Sequence, residues 1–124
     1  MGISIHYKGK LNKPELVNDL INEMAAISKE TEWEYELVDD KIQNIKGIIT
    51  NPHKKCETFS LLFNKKLDLV SIASLSFETS NNKGLHVASI KTQYAPLEIH
   101  ISIVKLLKHF KSKYIANMEV FDEV

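Results

Sequence analysis

The chain has 124 residues, 44% of them hydrophobic and 26% charged, with one cysteine. That is the composition of one globular domain, long enough to bury roughly two-thirds of its unfolded surface without a disulfide, metal or partner. Sixteen acidic residues balance sixteen basic ones, all of them lysine, which excludes arginine-finger catalysis, bidentate guanidinium capture of phosphate or carboxylate, and the commonest contact to guanine.

Ile3, Ile5 and Tyr7 alternate with Ser4, His6 and Lys8, which predicts a half-buried strand ended by Gly9. Asn12-Lys13-Pro14-Glu15 reads as a helix start, with Asn12 as cap, Pro14 in the first turn and Glu15 completing a capping box. Leu16, Val17, Leu20, Ile21, Met24 and Ile27 then recur at helical spacing, so the first helix is expected over 13–29. Trp33, Tyr35 and Leu37 alternate with Glu32, Glu34 and Glu36. This predicts a strand whose glutamates face water, followed by a turn at Asp39-Asp40-Lys41. A strand over 45–50 ends at Asn51-Pro52, because proline offers no ladder donor.

Glu57 to Phe63 places Phe59, Leu61 and Phe63 on one face, and Asn64-Lys65-Lys66 connects it as a hairpin to a strand over 67–77. Glu78 to Gly84 reads as a loop and Leu85 to Gln93 as a strand. Pro96 opens a second amphipathic helix over 97–114, with Ile99, Ile103, Leu106, Leu107, Phe110 and Tyr114 on its apolar stripe. Met118, Val120 and Phe121 form the last strand. The order β-α-β-β-β-β-β-α-β argues for one α+β domain over 1–124: a curved antiparallel sheet of about six to seven strands with two helices on one face.

A net charge of zero at pH 7 removes the field that general nucleic-acid or anionic-membrane binding needs, so neither partner is expected. The opening MGISIHYKGK lacks the apolar core of a secretory leader, and position 6 is His6 where a myristoylation signal needs Ser or Thr. No apolar run approaches the roughly 18 residues of a membrane span. The expected location is the cytoplasm, which suits a lone thiol.

Metal-capable and nucleophilic side chains cluster in Asn51-Pro52-His53-Lys54-Lys55-Cys56-Glu57. The spacing of His53 and Cys56 permits a shared ion, with Glu57 as a carboxylate, but zinc needs at least one further ligand, such as His100, His86 or His6. The bland alternative is a proline-shaped loop with an exposed histidine and a half-buried thiol. Lys54 and Lys55 beside His53 would lower the pKa of Cys56 and favour a nucleophilic thiolate, although a single Cys-His neighbour pair is common by chance. His100 stands at the margin of the second helix's stripe, where a packed imidazole must bond a carbonyl, hydroxyl or acid. His6, Lys8 and Lys10 end the first strand, and Lys91, Thr92 and Gln93 end another. Strand ends of this kind either hold an anion by point charges or are simply solvated. Glu32, Glu34 and Glu36 lie about 7 Å apart on an open face, which is no catalytic pair.

The segments His6-Tyr7-Lys8-Gly9-Lys10, Pro52-His53 with Cys56-Glu57, Lys91-Thr92-Gln93, His100 and Asp122-Glu123 together resemble a family of small bacterial proteins to which no biochemical function is assigned. The order of elements is similar to folds of the TATA-binding-protein-like class. That likeness implies a sheet gripping a long helix and, since fold does not determine function, no DNA binding.

The expected function is a non-enzymatic binding or interaction module for a small molecule or protein. Its pocket would lie between the sheet and the second helix, with His6, Lys8, His53, Cys56, Glu57, Lys91, Gln93 and His100 as ligand-binding candidates. The alternative is a small metal-dependent or Cys-dependent hydrolase using His53, Cys56, Glu57 and His100, with Cys56 and His53 as catalytic candidates. No cofactor is expected under the first reading; zinc on His53, Cys56 and His100 belongs to the second. A monomer or a homodimer is expected.

Overall fold

The computed structural model describes residues 4–75 and 87–122. Alternation near the amino terminus produces β1, Ser4–Lys8, with Ile5 and Tyr7 fully buried. It is followed by α1 (Leu16–Glu30), β2 (Glu34–Asp40), β3 (Ile45–Asn51), β4 (Phe59–Phe63) and β5 (Leu69–Val70). A short 3-10 helix (Ile72–Leu75), β6 (Ala88–Lys91), α2 (Leu97–Lys113) and β7 (Glu119–Asp122) complete the order. The fold class is α+β, and no helix among the described residues is long and apolar enough to cross a membrane.

The strands do not form the single curved sheet expected from the sequence. They divide into a three-stranded antiparallel sheet, β6-β1-β7, and a four-stranded one, β2-β3-β4-β5. Two local facts cause the division. Both edges of β1 are taken, by β6 on one side and β7 on the other. The strand expected over 67–77 pairs for only two residues before the chain winds into the 3-10 helix, so β5 cannot carry the ladder onward. Residues 76–77, the loop expected over 78–84 and the start of the strand expected over 85–93 lie outside the described residues.

The two sheets are joined by side-chain and short backbone links rather than a ladder. The buried Tyr7 hydroxyl donates to the Ser60 carbonyl of β4 at 2.6 Å. Burial pushes that hydroxyl well above the usual range, which keeps it a donor. Leu69 N donates to Gly9 O and Leu11 N to Leu67 O, each at 2.9 Å. A main core forms where Ile5 and Tyr7 of β1, Phe59, Leu61 and Phe63 of β4, Leu20 and Met24 of α1, and Ile103, Leu107 and Phe110 of α2 meet. Directly paired residues share a sheet face, so the Ile48–Leu61 pair faces this core while the Gly47–Leu62 pair faces away. On that second face Ile45, Leu62 and Val70 gather a smaller cluster with Val38, Ile49 and Leu75.

Two local expectations are corrected. The first helix starts at Leu16 with Glu15 in the cap position and no side-chain cap bond. Asn12 instead accepts from Ala116 N at 3.0 Å through Oδ1, while its own N–H donates to Tyr114 O at 2.9 Å. Its amide is therefore spent holding the segment after α2, and the capping box does not form. The second concerns β2, which runs through Asp39-Asp40 and turns afterwards, because Asp40 Oδ1 accepts from Ile42 N and Gln43 N. Glu32, Glu34 and Glu36 are exposed as the alternation predicts, but Leu37 is 60% exposed too.

Candidate functional site

The loop between β3 and β4 is shaped by its own backbone. Cys56 N donates to His53 O at 3.1 Å, closing a turn, and Lys55 N donates to His53 Nδ1 at 3.0 Å, so the imidazole caps that turn. The loop then lies along the outer edge of β6. Glu57 N donates to Lys91 O at 3.2 Å, and Lys91 N donates to Glu57 Oε1 at 2.8 Å. Glu57 thus occupies the edge of β6 that β1 leaves open, as a strand residue would. The result is a cleft of about 660 Å³ lined by Lys54, Lys55, Cys56, Glu57, Lys91 and Tyr94.

Three of the expected ligand-binding residues, Cys56, Glu57 and Lys91, therefore converge. Lys54, Lys55 and Tyr94 complete the lining, and the sequence reading did not place them in the pocket. All three lysines are exposed, and among the described residues their ammonium groups form no ion pair. Tyr94 presents its ring to solvent, 70% exposed, in the turn between β6 and α2.

The other candidates are engaged elsewhere. His6 Nδ1 shares a 2.6 Å hydrogen bond with Ser89 Oγ across the β1–β6 pair. Lys8 forms an ion pair with Glu119 of β7 at 3.1 Å, beside a separate depression. Gln93 is half-buried in the turn before α2. His100 is buried in the first turn of α2, with Nδ1 2.6 Å from Thr92 Oγ1 and Nε2 2.9 Å from Asp122 Oδ1. A carboxylate only accepts, so Nε2 carries the hydrogen of that bond, and Nδ1 and the Thr92 hydroxyl share the other. This line of three groups ties β6, α2 and β7 together. Thr92 is 2% exposed, so its hydroxyl serves the packing and is closed to a substrate.

This geometry leaves the zinc set unassembled: among the described residues no three His, Cys, Asp or Glu side chains gather where one ion could be held. Both ring nitrogens of His100 and the Nδ1 of His53 are already bonded within the fold. The thiol is also poorly prepared as a nucleophile. Burial and then the neighbouring Glu57 carboxylate push Cys56 up to about 11, the reverse of the lowering expected from Lys54 and Lys55. Iodoacetamide labelling of Cys56 across pH should accordingly follow an apparent pKa near 11, with little reaction at neutral pH. A midpoint near or below that of a free thiol, about 8.5, would restore the nucleophile reading.

No family model, curated protein or solved structure matches the chain. Function is therefore read from the cleft itself.

Proposed function

We propose that the protein is a binding module that takes an anionic ligand in the cleft between the 54–57 segment and the turn from β6 into α2, without chemistry at Cys56. The observation that carries this reading is the grouping of Lys54, Lys55 and Lys91, free of ion pairs among the described residues, around one cleft beside the exposed Tyr94 ring. Three ammonium groups outnumber the one Glu57 carboxylate in the lining, so the cleft carries a positive excess that favours an anion. Lysine supplies point charges on flexible stems and no planar fork, so the site selects for negative charge more than for the outline of one chemical group. Tyr94 adds a flat apolar surface with a polar tip. Glu57 fixes the lower wall, since its carboxylate is held by Lys91 N.

Exposed charge pairs contribute about 0.2–1 kcal/mol each, so three lysines and a ring correspond to millimolar rather than nanomolar affinity for a small anion. Titrating the 15N-labelled protein with citrate and with inorganic phosphate should move amide signals of Lys54 to Glu57 and Lys91 to Tyr94, with a Kd on the order of 1 mM. The effect should fade at 1 M salt, where the Debye length is about 3 Å. Replacing Lys54, Lys55 and Lys91 together by glutamine should weaken it at least tenfold. Shifts spread evenly over the surface, or unchanged in the triple variant, would dismiss the proposal.

A further inference from the structure

A hydroxyl–imidazole pair stands open to solvent where β1 meets β6, in contrast to the closed one at Thr92. Ser89 Oγ lies 2.6 Å from His6 Nδ1, with Ser89 exposed and His6 half-buried. Strand pairing sets this distance. Lys91 spends its N–H and C=O on Glu57, away from β1. Backbone groups alternate along a strand, so Ser89 also turns its N–H and C=O away from β1. It meets His6 as a non-hydrogen-bonded pair, the kind whose side chains stand closest.

On the side of Ser89 away from His6 lies a cavity of about 400 Å³, lined by Ser60, Ser71, Ile72, Val87 and Ser89 and bounded by Glu57 and Thr58. Two features suit it to a carbonyl compound. The Ser71 hydroxyl is buried with no hydrogen-bond partner among the described residues, and a bound molecule can satisfy it. The Ser89 N–H faces this edge of β6. The Ser60 N–H faces the same gap from β4, since Ser60 O, on the edge away from β3, accepts the Tyr7 hydroxyl. Backbone donors beside a nucleophile are what a developing oxyanion needs.

We propose that Ser89 and His6 are a nucleophile and its base, hydrolysing small uncharged carboxylic esters whose acyl group enters this cavity. Nucleophile and base within hydrogen-bond reach are the signature of covalent catalysis. Ser89 Oγ bonds to the ester carbonyl carbon as its proton passes to His6 Nδ1. The oxyanion takes hydrogen bonds from Ser89 N–H and Ser60 N–H. It collapses as the C–O bond to the alcohol breaks, and the alcohol departs with the proton from His6, leaving an acyl-Ser89. Water then attacks the acyl carbon and gives a proton to His6, which returns it to Ser89 Oγ as the carboxylic acid is released. The volume admits a short acyl chain against Ile72 and Val87. The one charge in the lining, the Glu57 carboxylate, turns away a negatively charged acyl group. Neither Ser89 nor His6 lines the lysine cleft, so this activity is separate from anion binding and does not depend on it.

Incubating the native protein with a fluorophosphonate probe should place an adduct on the tryptic peptide 84–91, whose only hydroxyl belongs to Ser89. The protein should also hydrolyse 4-nitrophenyl acetate and butyrate. Ser89→Ala should abolish the adduct and lower kcat/KM at least about 100-fold. It deletes one exposed hydroxyl, so the fold is kept, which circular dichroism checks. His6→Ala should lower kcat/KM by about as much, and imidazole added to the buffer should restore part of it, a rescue that a merely structural bond does not give. The Lys54, Lys55 and Lys91 glutamine variant should keep the turnover while losing citrate binding. Absence of turnover, turnover that persists in Ser89→Ala, or an adduct on another residue overturns the proposal. Labelling as fast in His6→Ala as in the native protein overturns it too, since His6 is then no base.

Discussion

Gly47→Ala should lower the stability of the fold by about 3 kcal/mol or more, the upper range for forcing added volume into a packed interior. Gly47 sits in the middle of β3, opposite Leu62 of β4. A Cβ built there would overlap the Leu61 carbonyl oxygen and come within 2.8 Å of Leu62 Cα. Both are main-chain atoms of the neighbouring strand, so no rotamer change relieves the overlap and the β3–β4 ladder itself must shift. That ladder holds Ile48 against Leu61 on the core side and Gly47 against Leu62 on the other, so both apolar clusters are disturbed together. Against a typical total of 5–15 kcal/mol, the loss leaves a marginal protein. Urea unfolding followed by circular dichroism should show the midpoint falling by about 1 M or more. A midpoint within error of the native protein would mean that β3 and β4 are not so closely apposed.

Both helices and most strands were legible in the sequence because they depend on local periodicity, whereas the strand expected over 67–77 gives way to a 3-10 helix after Leu69–Val70. Helical spacing from Leu16 to Ile27 and from Ile99 to Phe110 located both helices, and alternation from Ile3 to Lys8 and from Glu32 to Leu37 located two strands, the second of which runs on through Asp40. What local pattern does not contain is which strand pairs with which. β1 takes β6 and β7, more than 80 residues away along the chain, and nothing in Ile5 or Tyr7 announces those partners. The division into two sheets follows from that choice, and from a β5 too short to continue the ladder. Asn12 was misread for a related reason. A side-chain amide before a helix satisfies either the helix end or a distant N–H, and here Ala116 N is the one supplied.

The candidate site was half legible. Cys56, Glu57 and Lys91 meet because the loop after Pro52 runs along the edge of β6; the polar cluster at the strand entrance marked the loop, but nothing in it named Lys91 as its neighbour. His53 and His100 were singled out for their chemistry, but the fold uses their ring nitrogens in a turn and in a buried line to Thr92 and Asp122. Histidine is versatile enough that its type alone cannot separate a ligand from a structural bond. Lys54, Lys55 and Tyr94 carry a weaker signal, since an exposed lysine or tyrosine before a helix is ordinary. Only the fold brings them to the wall of one cleft.

The join between the two helices should make the protein sensitive to acid through one residue. Glu23 of α1 accepts from Lys113 Nζ at 2.8 Å and Tyr114 OH at 2.6 Å through Oε1, and meets His109 Nε2 through Oε2. Burial alone would raise this carboxyl, but the hydrogen bonds from Lys113, Tyr114 and His109 outweigh it and hold the group down at about 2. The folded carboxyl therefore binds its proton more weakly than the unfolded one, whose ordinary value is 4.5. The stabilisation is complete above pH 4.5 and is lost as the pH falls from there toward 2. A displacement of that size corresponds nominally to about 3 kcal/mol. The Glu23 side chain is still 23% exposed, and Lys113 and His109 stand about half in water, so solvent screening leaves about 1–2 kcal/mol to be measured. Glu23→Gln should lose that amount at pH 7 and show a flatter stability curve than the native protein between pH 5 and 2. Urea midpoints collected across that range test it. Curves that run parallel over the whole range would place the native protein's acid sensitivity elsewhere than between α1 and α2.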